Sequence, residues 1–280
     1  MKKSKVYQVN AFTPKPGAQG GNAAGVVLNA DSLTEHEMQA IAKEAGFSET
    51  AFISRSKIAD FKIDFFTPTR RIPDCGHATV AAFSVLHGQN PNLSQTSKEI
   101  WGGHRREIMI EDGKVFMELP IPTLEKLEAS HDVFSELFHN PVALKGAWHS
   151  RHDVGFLLIE LKSEKDLLEI SPNANAITDY SNQHNLIGIY AFVRTRGNDT
   201  HHSTTRMFAP AYGIPEEPAT GMAAGLLTAL LHQETSSHEF VIEQGRLMPA
   251  PSPSLLNSKI DAAGQKILVG GYSTVVGQER

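Results

Sequence analysis

Apolar and polar residues alternate from Val6 to Phe12 and from Ala24 to Leu28, the period expected of strands. Between Ser32 and Ala45 the period becomes helical. Met38, Ile41, Ala42 and Ala45 share one face, Ser32 with Glu35 makes a capping box, and Gly46 closes the helix. Strand character returns at Thr50 to Ile53 and Phe61 to Phe66, and an apolar helix follows over Gly76 to Leu86. Glu107 to Ile110 and Val115 to Leu119 flank Glu111-Asp112-Gly113-Lys114, whose Asp-Gly pair predicts a hairpin.

The second half repeats this order. Strands are expected at Val142 to Trp148, Gly155 to Leu161, Ile187 to Val193, Thr204 to Phe208 and Phe240 to Glu243. Helical turns fall between Ser163 and His184, and a helix runs over Ala219 to His232. Phe66-Thr67-Pro68-Thr69-Arg70-Arg71-Ile72-Pro73-Asp74 aligns without a gap on Phe208-Ala209-Pro210-Ala211-Tyr212-Gly213-Ile214-Pro215-Glu216, 142 residues later. That spacing is half the chain and too long for a solenoid period, so one whole domain is duplicated. The expected units are 1–121, joined by a late strand over Lys266 to Val276 so that 266–280 returns to it, and 122–265. Pro-rich Leu119 to Pro122 marks the crossing, while Ala250 to Ser254 and Gly197 to His202 are expected as exposed loops.

The two repeated helices are apolar almost all round, which predicts that each is enclosed by the strands of its own unit. Each begins after an Ile-Pro-acid sequence, and its unpaired N–H groups can receive an anion such as a carboxylate. If the units are related by pseudo-symmetry, two such ends face one cleft.

Composition narrows the function. The 280 residues are 40% hydrophobic and 20% charged, as in a globular chain with a packed core. A net charge of −5 provides no basic field for phosphates, so nucleic acid is not an expected partner. Cys75 is the single cysteine; it cannot form an internal disulfide or a multi-thiolate metal site, and a cytoplasmic location is expected. No apolar stretch is long enough for a signal peptide or a membrane span, so no membrane association is expected.

Among candidate groups, Glu49 stands in Phe47-Ser48-Glu49-Thr50-Ala51-Phe52-Ile53, where alternation puts Phe47, Glu49, Ala51 and Ile53 on one face. A carboxyl group held among apolar neighbours suits a residue that both accepts and donates a proton, although an edge-strand glutamate in solvent has the same pattern. Cys75 at a helix start is a nucleophile, a base or a small buried thiol, and His77 orients substrate, relays a proton or caps the helix. Glu216 and Glu217 precede the second helix, as acids for chemistry or as favourable charge against its dipole. Gly20-Gly21-Asn22-Ala23-Ala24-Gly25 lacks the second glycine of a dinucleotide loop, so NAD is set aside. His201-His202 reads as a surface pair, no H-E-x-x-H occurs, and neither a metal nor a cofactor is expected.

Asn22-Ala23-Ala24-Gly25-Val26, Ser48-Glu49-Thr50-Ala51-Phe52, Cys75-Gly76-His77-Ala78-Thr79 and Glu217-Pro218-Ala219-Thr220-Gly221 resemble, in order and spacing, the signatures of the PhzF-like (phenazine biosynthesis) family. The resemblance spans nearly the whole chain and implies the α+β, diaminopimelate epimerase-like fold. In that fold two lobes each form a barrel-like sheet around a central helix, the active site lies between them, and a homodimer is usual. It also implies cofactor-independent isomerisation of a small carboxylate-bearing substrate by a proton shift. The family's best-understood member acts on trans-2,3-dihydro-3-hydroxyanthranilate through the glutamate of Ser-Glu-Thr. Carried onto this chain, Glu49 moves the proton, with His77 and Glu217 as its catalytic companions. Asn22, Gly25, Cys75, Gly76, Thr220 and Gly221 bind substrate. Glu217 replaces the family's aspartate, Arg71 a frequent glutamate, and Met222 a serine or asparagine, and the Gly-Arg-Pro-Ser ending after Gln244 is absent. These departures bear on the substrate rather than on the fold. Two rivals are an amino-acid racemase or epimerase pairing Cys75 with Glu49, and a catalytically silent protein that binds small acids.

Overall fold

The computed structural model describes residues 5–128, 134, 136–150, 155–195, 200–261 and 263–279. They divide into two compact units, residues 1–118 with 269–280, and residues 119–268.

The first unit opens with β1 (Val6–Thr13), β2 (Asn22–Val27), α1 (Glu35–Ala45), β3 (Thr50–Ser54), β4 (Phe61–Phe66) and the short β5 (Arg71–Ile72). It continues through α2 (Gly76–Gln89), β6 (Gln95–Ile100), β7 (His104–Glu111) and β8 (Lys114–Pro120). Pairing runs β1–β2–β3–β4–β6–β7–β8. The chain's last strand (Lys266–Glu279) pairs with both β8 and β1 and closes the ring. The pairs β2/β3 and β4/β6 are parallel, each bridged by a helix, as a parallel connection requires. Helix α2 packs against β1, β2 and β3 and buries every residue from His77 to Phe83. A sequence with no polar face has found the enclosed position it needs.

The second unit contains β9 (Leu124–Lys126), β10 (Leu144–Ser150), β11 (Gly155–Leu161), α3 (Glu164–Glu169), α4 (Ala174–His184), β12 (Leu186–Arg194) and β13 (Ser203–Ala209). These are followed by β14 (Ile214–Glu217), α5 (Gly221–Thr235), β15 (Glu239–Gln244) and β16 (Ser254–Ile260), with the closing strand as β17. Pairing runs β9–β10–β11–β12–β13–β15–β16, again with parallel steps where helices intervene, at β11/β12 and β13/β15. Helix α5 packs on β11 and β16 and is apolar and buried along most of its length. The duplicated α+β fold expected from the repeat is present in each unit. Among the described residues no helix is long and apolar enough to cross a membrane.

Several local expectations are corrected. The capping box of α1 is Thr34 with Glu37, not Ser32 with Glu35; Ser32 ends a 3-10 turn. Met38 and Ala42 do face the core, and Gly46 ends the helix in the left-handed conformation. Strand pairing begins at Thr50, and Phe47 packs in one cluster with Phe52 and Met38, so the alternation does not reach back to Phe47. Strands β5, β6, β9, β14 and β16 add to those expected. Residues 197–199 of the Gly197 to His202 loop lie outside the described residues.

Candidate functional site

Glu49 stands at the lead-in to β3, where its carbonyl accepts the Gly25 N–H at 3.0 Å from the neighbouring β2. Gly25 faces Thr50 so closely that a Cβ there would lie 2.7 Å from Thr50 Oγ1. The glycine thus lets β2 and β3 approach and fixes the height at which Glu49 leaves the sheet. Glu49 is buried, its side chain 9% exposed. Its Oε2 lies 3.2 Å from His77 Nε2, yet no hydrogen bond aligned to that oxygen is formed among the described residues.

The histidine comes from the first turn of α2. Its Nε2 also lies 3.5 Å from Ser48 Oγ, and its Nδ1 lies 3.5 Å from Cys75 Sγ, the helix N-cap residue. One imidazole therefore stands between a carboxylate and a thiol. A ring that carries its proton on Nε2 suits both neighbours, with Nδ1 accepting from the thiol. Gly76 opens the helix, so its N–H is among the unpaired donors of the first turn. Asn22 is buried at the start of β2, opposite Ala11 of β1.

Donor atoms of Glu49, Cys75 and His77 all lie within 4.8 Å of one another, as a metal site requires. The sulfur, however, sits at Nδ1 and the carboxylate at Nε2, opposite corners of one ring. An ion held by Nε2 and Glu49 meets the sulfur only after Cys75 turns. As it stands, the arrangement suits a proton relay better than a ligand set.

In the second unit the start of α5 is held by a residue that sequence reasoning did not assign. Gln244 Oε1 accepts from the Thr220 N–H and from the Tyr190 hydroxyl, both at 3.1 Å. Its Nε2 donates to Glu217 O at 2.7 Å and to Thr220 Oγ1 at 3.1 Å. Every donor and acceptor of this buried amide is engaged, which leaves it no freedom to rotate. Thr220 Oγ1 in turn donates to Glu217 Oε2. Gly245 follows with φ at 84°, and a Cβ there would lie 2.7 Å from Pro218 O, so this position admits glycine alone. Burial, reinforced by the Glu217 charge, pushes the Tyr190 phenol well above its ordinary range, and Tyr190 stays a neutral donor. The one signal in the sequence was the Gln-Gly pair at a strand end.

Of the residues singled out in the sequence, the structure brings Glu49, Cys75 and His77 together in the first unit, and Glu217 and Thr220 together in the second, beside Gly221 as the first residue of α5. Glu216 is engaged elsewhere, in a two-pronged buried pair with Arg206 at 2.7 and 2.8 Å. Arg71, the departure on β5, bonds Asp64 and Glu35 and lies over the Trp101 ring.

Comparison with known proteins gives a consistent picture. The family described as phenazine biosynthesis-like protein, PhzC-PhzF, matches residues 9–279. An isomerase of Escherichia coli strain K12, called uncharacterized isomerase YddE, is 38% identical over 256 residues, covering 85% of this chain and 82% of its own. The trans-2,3-dihydro-3-hydroxyanthranilate isomerase of Pseudomonas aeruginosa is 27% identical over 270 residues, covering 92% and 91%. The crystal structure of the Bacillus anthracis phenazine biosynthesis protein of the PhzF family superposes with a TM-score of 0.83 at 24% identity, covering 100% of this chain and 99% of that one.

Proposed function

This chain belongs to the phenazine biosynthesis-like protein family and is an isomerase, and on that premise we propose that it shifts a proton within a small carboxylate-bearing metabolite, with Glu49 as both base and acid. The observation that carries the proposal is the Glu49 oxygen that is buried, in contact with His77, and without an aligned hydrogen bond. A buried acceptor left so is costly in a structure that had no use for it.

In this mechanism the Glu49 carboxylate takes a proton from carbon and returns it to another carbon of the same molecule. His77 Nε2, 3.2 Å away, faces the carboxylate without an aligned hydrogen bond, which leaves that oxygen available to the proton. The N–H groups of the first turn of α2, beginning at Gly76, receive the charge that develops as the C–H bond breaks, and being preorganised they need no rearrangement. In the second unit we assign carboxylate binding to Thr220 and Gly221, held in place by Glu217 and Gln244.

The racemase alternative is disfavoured by distance. Two bases acting on opposite faces of one carbon need about 6–7 Å between them, since each stands about 3–3.5 Å from the reacting atom. The donor atoms of Cys75 and Glu49 are no more than 4.8 Å apart.

The test is NMR in deuterium oxide. Wild type and Glu49→Gln are each mixed with trans-2,3-dihydro-3-hydroxyanthranilate and a panel of cyclic unsaturated acids and amino acids. Deuterium entering one carbon with wild type alone is the expected result. Full exchange by Glu49→Gln overturns the mechanism, and exchange confined to the α-carbon of an amino acid and abolished by Cys75→Ser restores the racemase.

A further inference from the structure

We infer that Lys98 is a positioning residue, which holds the turn bearing Cys75, Gly76 and His77 against Glu49 from beneath; its role in the reaction rests on the reading above. Lys98 lies in the middle of β6, in a segment whose composition conceals its burial, and its side chain is 1% exposed. An ammonium group so placed carries a desolvation cost that a Met of similar length would avoid.

Its contacts show where that cost is offset. Nζ donates to Asp74 Oδ1 and, at 2.7 Å, to Thr79 Oγ1, and it lies 5.1 Å from the Phe65 ring centre. The same Asp74 oxygen accepts the Cys75 N–H at 2.8 Å. The Thr79 hydroxyl, which accepts from Lys98, donates to Cys75 O at 2.6 Å. Both backbone polar groups of Cys75 thus end on side chains that Lys98 holds. Cys75 makes no side-chain cap of its own, and the clamp adds to the helical bond that its carbonyl accepts from the Thr79 N–H at 3.0 Å.

The second unit meets the same need with other residues. In the repeat Glu216 occupies the place of Asp74, and it too is bound by a buried cation, here Arg206 of β13 rather than a lysine of the following strand. The N-cap Thr220 is then held by Gln244. The start of each central helix is thus held by a side chain from a strand, through Lys98 in one unit and Gln244 in the other.

Since Cys75 is the sole cysteine, alkylation of the native protein by iodoacetamide reports on this turn alone. The imidazole resonances of His77 in protein labelled with nitrogen-15 histidine, assigned by their loss in His77→Asn, report on its other arm. In Lys98→Met we expect alkylation to accelerate at least about tenfold as the turn opens locally. The His77 resonances are expected to move, and carbon exchange to slow by about tenfold to a hundredfold with KM less affected. Thr79→Val is expected to act in the same direction, and Thr79→Ser to resemble wild type. Wild-type alkylation and unmoved His77 signals in whichever of Lys98→Met and Thr79→Val folds overturn the inference. Failure of both to fold also overturns it, because the network then holds the fold rather than the turn. A wrong mechanism shows instead in Glu49→Gln and leaves the alkylation comparison intact.

Discussion

Replacing Gly25 by alanine separates two roles for that residue, room for a ligand and the seating of Glu49. The new Cβ would lie 2.7 Å from Thr50 Oγ1 and 3.0 Å from Thr50 Cγ2 and Phe47 Cδ2, where ordinary contact begins at 3.4 Å. β3 must then retreat by about half an ångström, and interiors packed to crystal density transmit such a shift. Overpacking of this kind costs about 1–3 kcal/mol, or roughly 2–10 °C of melting temperature. Because the Gly25 N–H holds the Glu49 carbonyl, the carboxylate moves with the strand. Exchange into carbon should slow by about tenfold, given that misplacement by an ångström costs about a hundredfold. Thr50→Ala removes two of the three clashing atoms, and its hydroxyl has no hydrogen-bond partner among the described residues to lose. In the double variant both the melting temperature and the exchange rate are expected to recover, with an interaction of at least about 0.5 kcal/mol in the thermodynamic cycle. Calorimetry and the deuterium assay on the four proteins provide the measurement. Additive losses, or stability rescued without exchange, would refute the seating argument and leave Gly25 as room for a ligand.

Three further perturbations follow from the second unit. Burial pushes the Tyr180 phenol up to about 12 from an ordinary 10. The unfolded chain releases that proton first, so stability is whole below pH 10 and falls as pH rises toward 12. Tyr180→Phe should flatten this alkaline slope in urea titrations, and an unchanged slope would assign it elsewhere. Arg206→Met strands Glu216 and three backbone carbonyls, those of Leu167, Leu168 and Ile170, and should cost about 3–5 kcal/mol by urea midpoint, with Arg206→Met/Glu216→Leu recovering part; a loss under about 1 kcal/mol contradicts the pairing. Gln244→Ala leaves the Thr220 N–H, the Tyr190 hydroxyl and Glu217 O without their shared partner, and should cost about 3 kcal/mol or more, which the same titration measures.

What the sequence revealed and what it hid have physical causes. The central helices were legible because no polar face breaks their apolar runs. Ser32-Glu35 and Thr34-Glu37 are equally good capping boxes two residues apart, and a pattern of residue types does not choose between them; the chain spends Ser32 in a 3-10 turn and caps at Thr34. Strand β16 alternates correctly, but two of its inward residues are Ser254 and Ser258, and Ser258 accepts from the Thr228 hydroxyl of α5. A hydrophobicity pattern cannot register an inward face that is partly polar. The same blindness concealed β6, where three of the four buried members, Thr96, Ser97 and Lys98, are polar and only Ile100 is apolar. At the site, Glu49, Cys75 and His77 stood in short motifs, whereas Gln244 and Lys98 act from strands distant in sequence.

Arg71, which departs from the family's frequent glutamate, is accounted for by its neighbour across the strand pair. It binds Asp64 of β4, buried at 5% exposure, and a glutamate at 71 would set two carboxylates face to face there. In the duplicated half the residue 142 positions on is Arg206, and its partner on the following short strand is Glu216. The two ion pairs share only the place on β4 and β13, where the charge is reversed, because the residue 142 positions after Arg71 is Gly213 and Glu216 answers to Asp74. Each of these buried charges is tolerated because its partner is present. The arginine at 71 thus answers to Asp64 within the first unit.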